Sequence, residues 1–523
     1  MIGSCNSLAL IGIAWFLAGS CLHADQRPNI LFAISDDQSF PHASILGDPV
    51  VKTPAFDRVA REGVLFRHSF AACPSCTASR SSILTGRQIW QVGEAGVLFG
   101  TLHPQYPLFT HLLEDAGYHV GFVGKPWAPG DWRAGGLQRH PNGKEYKSRL
   151  EKDPPLGIDT RDYAANFLDF LDDRPNGAPF MFWFGCTEPH RVYDSGIGER
   201  NGLDPSRIEV PPYLPDSAET RSEMLDYYYE IEHFDKHLNR MLQKLEAIGE
   251  LENTLVVVTS DNGMPFTRTK ASLYDSGVRM PTAIMWGQVP GGRRVDDFVS
   301  HIDFAPTFLE VAGLEPPELM TGSSLVSLLK SQADGTVDEE RTFAVTAIER
   351  HTYCRPNGAT YPIRAIRTEE FLYIRNFEPS RWPTGGPTFI SSNKAPHGDI
   401  DDGPFKDYML LPATRVKFPV AFDVGFGKRP LEELYSIKDD PHQMKNLAGD
   451  PSYASTKRKL WNQLFGYLQE TNDPRLRGED PWKDYVYRQV DGFGATYNMS
   501  LSVEERAEAR QRAKHQVSPG AKE

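Results

Sequence analysis

Four apolar segments of strand length, separated by helical patterns, place the strongest constraint on the fold of this 523-residue chain. Continuous apolar runs that do not alternate with polar residues are typical of strands buried on both faces of a sheet. Helical patterns, such as TPAFDRVAREGVLF and SEMLDYYYEIEHFDKHLNRMLQKLEAIG, lie between the runs. This alternation predicts an α/β fold with a large, mostly parallel sheet flanked by helices. The four runs are PNILFAISDD (28–37), YHVGFVGK (118–125), PFMFWFGC (179–186) and NTLVVVTSDNG (253–263).

After residue 345 the sequence changes to shorter elements. PIRAIRT and EFLYIRNF have strand length, and the Gly/Pro-rich stretches PTGGP and PHGDIDDGP follow them. We therefore expect a large domain over residues 25–345 and a smaller C-terminal α+β subdomain over residues 346–490. The stretch SVEERAEARQRAKHQ has almost no apolar face, so residues 491–523 are expected to form a charged helical tail.

The N-terminal region carries a long apolar run, LALIGIAWFLAG (8–19), followed by SCLHAD with its small residues. This pattern predicts a signal peptide over residues 1–24 and export to the periplasm, the extracellular space or a lysosome-like compartment. Cys21 leaves a lipoprotein anchor as the alternative. The mean hydropathy of −0.44 excludes a polytopic membrane protein, and we expect no membrane span in the exported chain.

The net charge of −13 gives no reason to expect a general attraction to nucleic acid or anionic lipid. An anionic substrate must therefore be held by a local basic pocket. After export the chain keeps Cys73, Cys76, Cys186 and Cys354, which are too few for a disulfide-built scaffold. The hydrophobic core must supply the stability.

Polar side chains follow the predicted strands at the point where each strand ends. The carboxyl ends of parallel strands meet at one edge of a sheet, so one site could collect all of these side chains. Asp36 with Asp37, and Asp261 with Asn262, form two acidic clusters of oxygen ligands without His or Cys. Such clusters suit Ca²⁺ or Mg²⁺, although each cluster alone could be an Asx turn or a helix cap. The residues at or just after strand ends are Asp36, Asp37, Lys125, His190, Asp261 and Asn262.

The stretch CPSCTASRSSILTGR (73–87) allows several interpretations. It could be a redox pair, half a zinc site, a pair of buried structural cysteines, or a nucleophile at the start of a helix. TASRSSILTGR has helix-forming texture, which would place Cys76 in the first helical turn with Arg80 on the same face. A nucleophile, a guanidinium group and a helix N-terminus together would form a pocket for a tetrahedral oxyanion.

C-x-A-x-R at Cys76 to Arg80, followed by LTGR, resembles the maturation signature of the type I sulfatases, in which this cysteine is oxidised to formylglycine. Further sulfatase-like pieces lie around it in family order, and the resemblance covers residues 27 to 475. It implies an alkaline-phosphatase-like fold and a formylglycine-generating enzyme as maturation partner. The pieces are ISDD, Gly124 with Lys125, EPHR (188–191), SDNG, Lys270 with Tyr274, and ELYSIKDDPHQMKNLAGDP (433–451).

The resemblance also implies roles for individual residues. Cys76, as hydrated formylglycine, would attack sulfur with one hydroxyl and use the other to release sulfate. Asp36, Asp37, Asp261 and Asn262 would bind Ca²⁺, with Mg²⁺ as the second choice and modified Cys76 as a fifth contact. The remaining catalytic residues would be Arg80, which neutralises charge, Lys125 and Lys270, which hold the sulfuryl oxygens, and His190, which protonates the leaving group.

Within that family, TSDNGMPF, EPHR and ERHTYCRPNGATYPIRAIRT look most similar to heparan N-sulfatases, which implies a sulfated saccharide substrate and adds His351 and Arg364 as substrate-binding residues. Two positions depart from the family pattern. Ala78 stands where Pro is usual, and Trp127 stands where His usually follows the Gly-Lys pair. Trp127 therefore indicates that a proton donor or sulfate contact has been lost or moved.

Three other functions compete with N-sulfatase activity. An O-sulfatase acting on another polysaccharide would use the same nucleophile and metal. A phosphodiesterase or phosphonate hydrolase of the same superfamily usually has more His ligands to its metals. The two acidic clusters, Asp36 with Asp37 and Asp261 with Asn262, contain no histidine. A secreted redox or glycan-binding protein would join Cys73 to Cys76 in a disulfide.

Overall fold

The computed structural model describes residues 27–388 and 396–485. The predicted signal peptide (1–24) and charged tail (491–523) lie outside these residues. Within the described part of the chain, no helix combines the length and the apolar character needed to cross a bilayer.

The larger sheet has eight strands in the order β4-β3-β5-β1-β6-β7-β2-β8. All neighbouring strands in it are parallel except β7, which runs antiparallel to β6 and to β2. This arrangement confirms the predicted α/β fold with a mostly parallel sheet. The strands are β1 (Asn29–Ser35), β2 (Val64–Phe70), β3 (His119–Gly124), β4 (Lys144–Glu145), β5 (Phe180–Gly185), β6 (Thr254–Ser260), β7 (Thr282–Met285) and β8 (Arg293–Ser300).

Helices cover both faces of this sheet. The side chains of the fully buried strand β1 alternate between two apolar cores, with Ile30, Phe32 and Ile34 in one and Leu31 and Ala33 in the other. The helices are α1 (Pro54–Glu62), α2 (Cys76–Thr85), α3 (Phe109–Asp115), α4 (Tyr163–Asp173), α5 (Ile197–Arg200), α6 (Ala218–Ala247), α7 (Asp275–Val278), α8 (Phe304–Val311), α9 (Val326–Lys330), α10 (Pro404–Leu410), α11 (Pro412–Lys417), α12 (Pro419–Phe426) and α13 (Ala454–Glu470).

The first predicted helix ends before Gly63, where the chain passes very close to β7. A Cβ atom on Gly63 would lie 2.1 Å from the carbonyl oxygen of Ile284. Glycine is therefore required by space at the turn from α1 into β2. The long helix α6 begins at Ala218, earlier than its apolar pattern indicates, because the Ser217 side chain accepts a hydrogen bond from Thr220 N and caps it.

The C-terminal part contains a four-stranded antiparallel sheet in the order β12-β11-β10-β9, which confirms the smaller α+β subdomain. Helix α13 packs on β10 and β11. The core of this subdomain continues into the larger one, because Phe70, Cys73 and Trp90 belong to the same apolar cluster as the small sheet. The strands are β9 (Phe343–Ile348), β10 (Ile363–Thr368), β11 (Phe371–Asn376) and β12 (Glu432–Ser436).

Candidate active site

The carboxyl ends of four adjacent strands, β3, β5, β1 and β6, carry the polar residues that the sequence analysis expected to meet. Ligand atoms of Asp36, Asp37, Cys76 and Asp261 all lie within 4.8 Å of one another, and His190 lies equally close to Asp36 and Cys76. The structure therefore brings these side chains into one site, as predicted. We refer to this set, with Asn262, as the strand-end cluster.

Cys76 is the first residue of α2, directly after the extended N-cap residue Ser75. All ten residues of this helix are buried, which its many small Ser, Thr and Ala side chains allow. The Cys76 Sγ atom lies 3.5 Å from Asp36 Oδ1. The predicted position of Cys76 in the first turn of a helix is confirmed, and it faces the carboxylates.

Arg80 connects this helix to two strand ends. Its Nε atom donates to Asp261 Oδ2 at 2.8 Å, and its Nη1 atom donates to the Lys125 carbonyl oxygen at 2.8 Å. Both the Arg80 and Asp261 side chains are completely buried. Arg80 thus fixes the orientation of α2 relative to the carboxylates as well as supplying positive charge.

Each of the three cluster carboxylates has at least one cationic partner. Lys125 Nζ donates to Asp36 Oδ2, Lys270 Nζ donates to Asp37 Oδ2 at 2.7 Å, and Arg80 pairs with Asp261. Burial alone would raise the pKa of Asp36, but Lys125 and Arg80 outweigh it and hold that pKa below its ordinary value. Burial raises the pKa of Asp37 well above its ordinary value despite Lys270. The carboxylates are so crowded that a bound cation would relieve them.

The donor set fits a hard divalent cation. The Asn262 Nδ2 atom donates to Asp37 Oδ1 at 2.6 Å, and the Asn262 Oδ1 atom is buried without a hydrogen-bond partner. A buried amide oxygen without a donor is costly unless a cation or water binds it. Carboxylate and amide oxygens at one point are the ligands that Ca²⁺ and Mg²⁺ prefer.

The thiols of Cys73 and Cys76 are both free in the structure, so they form no disulfide. Burial raises the pKa of the Cys76 thiol well above its ordinary value, although Lys125 and Lys270 favour the thiolate. Burial also raises the pKa of the Cys73 thiol. Redox cysteines need an accessible, stabilised thiolate, so this environment argues against the redox interpretation.

His190 lies at the rim of the cluster, with 27% of its side chain exposed. Its Nδ1 atom is 2.6 Å from the carbonyl oxygen of Arg191, which fixes the proton on Nδ1 in the neutral ring. Its Nε2 atom is 3.8 Å from Asp37 Oδ2. Burial, with Lys270 and Lys125 nearby, lowers its pKa well below the ordinary value, so the imidazole is neutral in the substrate-free site.

The two predicted substrate-binding residues lie in different environments. His351 Nδ1 is 2.9 Å from the Oγ atom of Ser75, the residue before Cys76. The structure does not bring Arg364 to the cluster, because its completely buried guanidinium pairs with Glu349 and Asp473 at 2.6 Å each. A substrate contact through Arg364 would require these ion pairs to break.

Trp127, which occupies the position where the family usually has His, points into the hydrophobic core. Its side chain is 1% exposed and belongs to the apolar cluster on one face of the large sheet. Its Nε1 atom donates to the Ser81 Oγ atom of α2 at 2.7 Å. Trp127 therefore supports α2 from the core side, and its N–H is taken up by Ser81.

Sequence reasoning missed Asp401, which the C-terminal part contributes to the site. Asp401 Oδ2 is 2.9 Å from Lys270 Nζ, so Lys270 is held between Asp37 and Asp401. Asp401 lies in the stretch PHGDIDDGP, which shows no helix or strand period. Its acidic composition was a signal, but a loop sequence does not reveal which strand end it approaches.

A second group of possible metal ligands, Glu151, His233 and His237, lies outside the strand-end cluster. His237 Nδ1 accepts a hydrogen bond from the backbone N–H of Ala164 at 3.3 Å, in the first turn of α4. The proton of the neutral ring therefore resides on Nε2, which lies 3.0 Å from Glu151 Oε1. This tautomer has no lone pair for a metal on Nε2, and the hydrogen bond from Ala164 to Nδ1 links α6 to α4.

Arg80→Met is expected to lower the free energy of unfolding by about 3–5 kcal/mol, because it leaves Asp261 buried without its ion-pair partner. Urea denaturation in the presence of a chelator measures this, since the chelator removes any cation that would compensate Asp261. Arg61→Met is the matched control. Arg61 pairs with Asp57 at 3.1 Å but is 65% exposed, so its loss should cost about 0–1 kcal/mol. Equal costs for the two substitutions would contradict the structural role of Arg80.

Comparison with known proteins identifies similar chains. The sulfatase family model matches residues 28–314, and the model for the C-terminal region of N-sulphoglucosamine sulphohydrolase matches residues 268–382. The human N-sulphoglucosamine sulphohydrolase is 27% identical, over 87% of this chain and 92% of the human protein. An ulvan-active sulfatase of Formosa agariphila is also 27% identical, over 86% of this chain and 76% of the relative. The solved structure of BT4656 in complex with its substrate D-glucosamine-2-N,6-O-disulfate matches with a TM-score of 0.62 and 22% identity, covering 88% and 99% of the two chains.

Proposed function

This chain belongs to the sulfatase family, and from that premise we propose that it hydrolyses the N-sulfate of glucosamine in heparan-type saccharides. One observation carries the hydrolase chemistry: Cys76 begins a buried helix and faces three carboxylates, each paired with a cation. The C-terminal match to N-sulphoglucosamine sulphohydrolase and the human relative support the N-sulfate. An O-sulfatase acting on another polysaccharide is the second candidate, supported by the ulvan-active relative.

We propose that Cys76 is oxidised to formylglycine by a maturation enzyme, which provides a hydrated aldehyde as the nucleophile toward sulfur. The neutral, buried thiol of Cys76 is itself a poor nucleophile, because the thiolate is the reactive form. The first turn of α2 places backbone N–H groups around this side chain, where developing negative charge is favoured. The position of Cys76 thus suits an oxyanion better than a thiolate reaction.

Asp36, Asp37, Asp261 and Asn262 would hold the metal, and Ca²⁺ is our first choice. When bound, a divalent cation there would polarise the sulfuryl oxygens as a Lewis acid. Lys125 and Lys270, both nearly fully buried, would bind the same oxygens from the two sides of the cluster. Because these lysines already face carboxylates, they are held in place before the substrate arrives.

His190 would donate the proton to the leaving group. Its Nε2 atom opens toward the cluster because Nδ1 is bonded to the Arg191 carbonyl oxygen. The substrate-free imidazole is neutral, but a sulfamate anion bound beside it would offset the repulsion from Lys125 and Lys270 and favour the imidazolium. The proton therefore becomes available when the anionic substrate is present.

His190→Ala is expected to reduce kcat/KM for N-sulfoglucosamine by about 10²–10⁴-fold, the range typical of a lost general acid. The loss on 4-nitrophenyl sulfate should stay within about 10-fold, because nitrophenolate leaves without a proton. Steady-state kinetics on both substrates measures the difference. His442→Ala, at an exposed histidine, is the control and should leave both rates unchanged. Equal losses on the two substrates would show that His190 binds sulfate and is not the acid.

A desulfation screen on defined sulfated sugars tests the proposed substrate. The protein is produced together with a formylglycine-generating enzyme, and conversion of Cys76 is measured by intact mass. We expect release of sulfate from N-sulfated glucosamine. Turnover of O-sulfated sugars without turnover of any N-sulfated sugar would assign the enzyme to the O-sulfatases and leave the proposed nucleophile and metal ligands intact.

We also propose that the enzyme acts after export, as the predicted N-terminal signal implies.

A further inference from the structure

Asp401 is a carboxylate at the active site that belongs neither to the proposed metal ligands nor to the nucleophile helix. Its Oδ2 atom lies 2.9 Å from Lys270 Nζ, and its side chain is 13% exposed. Ligand atoms of Asp401, His190 and Asp37 lie within 4.8 Å of one another. Asp401 therefore stands beside the proposed proton donor and in contact with one of the proposed sulfate-binding lysines.

His190 belongs to two groups of mutually close ligand atoms, one with Asp36 and Cys76 and the other with Asp37 and Asp401. The imidazole therefore connects the nucleophile to Asp401. A leaving group protonated by His190 would be within reach of the Asp401 carboxylate. The carboxylate is positioned by its own subdomain, because the adjacent Lys406 side chain donates to the Ile400 carbonyl oxygen and pairs with Asp402 at 2.9 Å.

Protonation of a sulfamate before cleavage places positive charge on nitrogen, whereas the far less basic ester oxygen of an O-sulfate is protonated only as its S–O bond breaks. Proton transfer from His190 to R–NH–SO₃⁻ gives R–NH₂⁺–SO₃⁻. The S–N bond then breaks, its electron pair goes to nitrogen, and the deprotonated hydroxyl of the proposed formylglycine hydrate forms the new S–O bond as R–NH₂ leaves. The released amine takes up a proton from solvent and becomes an ammonium group, whereas the alcohol released from an O-sulfate stays neutral. A carboxylate beside the leaving atom therefore favours the amine selectively.

We infer that Asp401 is a specificity-determining residue, whose carboxylate binds the protonated leaving nitrogen of N-sulfated glucosamine and the ammonium group of the glucosamine product. The inference rests on the proposed N-sulfatase function. It extends that function by assigning the distinction between nitrogen and oxygen leaving groups to a residue of the C-terminal part. It also assigns a function to the ion pair between Lys270 and Asp401. Lys270 binds the sulfuryl oxygens of the substrate, and Asp401 binds its leaving nitrogen.

The test compares Asp401→Asn with the control Asp423→Asn in enzyme with verified conversion of Cys76. Asn keeps the shape of the side chain and removes its charge. We expect Asp401→Asn to lower kcat/KM on N-sulfoglucosamine by about 10- to 100-fold, as for loss of a charge-assisted hydrogen bond, and on 4-nitrophenyl sulfate by less than about 3-fold. Asp423→Asn should change neither rate, because Asp423 is an exposed aspartate of α12.

A binding measurement on the same variants does not depend on turnover. Glucosamine should inhibit the unmutated enzyme competitively against 4-nitrophenyl sulfate, and Asp401→Asn should weaken that inhibition at least about 10-fold. Glucose, which lacks the amine, should inhibit both enzymes equally. Thermal melting of each variant verifies that it is folded.

The possible results separate the inference from the function on which it rests. If the unmutated enzyme hydrolyses N-sulfoglucosamine but Asp401→Asn loses the same factor on both substrates, or keeps glucosamine inhibition, the inference on Asp401 is wrong and the N-sulfatase proposal stands. If the unmutated enzyme hydrolyses 4-nitrophenyl sulfate but no N-sulfated sugar, both proposals are wrong. If Asp401→Asn does not fold, Asp401→Glu replaces it, and retention of N-selectivity by this charged variant is the expected result. Loss of N-selectivity in a folded Asp401→Glu enzyme with unchanged aryl sulfate turnover would contradict a role for the charge.

Discussion

Cys76→Ser, produced together with an aerobic cysteine-oxidising maturation enzyme, is expected to lose at least about 10³-fold in sulfatase activity while its melting temperature stays close to that of the unmutated enzyme. A serine would remain unconverted in that system, so the aldehyde nucleophile would be absent. The fold should tolerate the change, because serine fills nearly the same volume and helix α2 already contains three serines. Turnover of an aryl sulfate measures the loss of activity, and thermal melting measures the stability. Intact mass verifies that the serine stays unconverted.

Cys73→Ala is the matched control for Cys76→Ser. Cys73 is also buried, but it packs in the apolar core that the two sheets share. Its substitution should change activity by less than about 2-fold, with a modest loss of stability of the size usual for a small core truncation. Full activity of Cys76→Ser would contradict the formylglycine nucleophile, and a loss in Cys73→Ala as large as that in Cys76→Ser would revive the disulfide interpretation.

Removal of the metal by a chelator is expected to reduce activity at least about 10³-fold, since the metal would supply several kcal/mol of charge stabilisation in the transition state. The unfolding free energy should fall by about 3–4 kcal/mol relative to enzyme saturated at 100- to 1,000-fold the dissociation constant. This second loss comes from lost binding energy. Relief of the repulsion among the carboxylates is part of that binding energy, because Lys125, Lys270 and Arg80 offset only some of it.

Addition of Ca²⁺ should restore both the activity and the unfolding free energy, and Mg²⁺ should restore them less completely. Activity assays and urea denaturation of the same chelated sample measure the two together, with chelator presaturated by Ca²⁺ as the control. If thorough chelation changes neither quantity, the assignment of Asp36, Asp37, Asp261 and Asn262 as metal ligands is wrong.

The strand-end residues could be predicted from the sequence because two local patterns determine them. Each apolar run identifies a buried strand, and the parallel order of the strands places the residue after each run at one edge of the sheet. The positions of Asp36, Lys125 and Asp261 could be predicted from these two patterns alone. Cys76 was predictable for a similar reason, because the helical texture after it sets the helix start.

Residues whose place depends on tertiary packing could not be predicted in this way. Asp401 reaches the cluster through a loop without secondary-structure period, and its approach depends on how α10 packs on α6. Arg364 was expected at the substrate, but it lies buried in the C-terminal subdomain. A motif alone does not show whether a strand residue faces the interior of a subdomain or the active site. Trp127 occupies a motif position, yet its ring turns to the core, because a large apolar side chain is more stable there.

The shared core and the contribution of Asp401 make the active site a late product of protein synthesis. Roughly 300 residues separate Cys76 from Asp401, and the ribosome needs about 15–60 s to add them at 5–20 residues per second. Until β9 to β12 have been added, the chain lacks the complete antiparallel sheet that packs against Cys73, so the proposed maturation enzyme would meet the neighbouring segment less covered than in the finished structure. Under the proposed conversion of Cys76, the topology therefore gives the modification a time window that narrows as the last third of the chain is added.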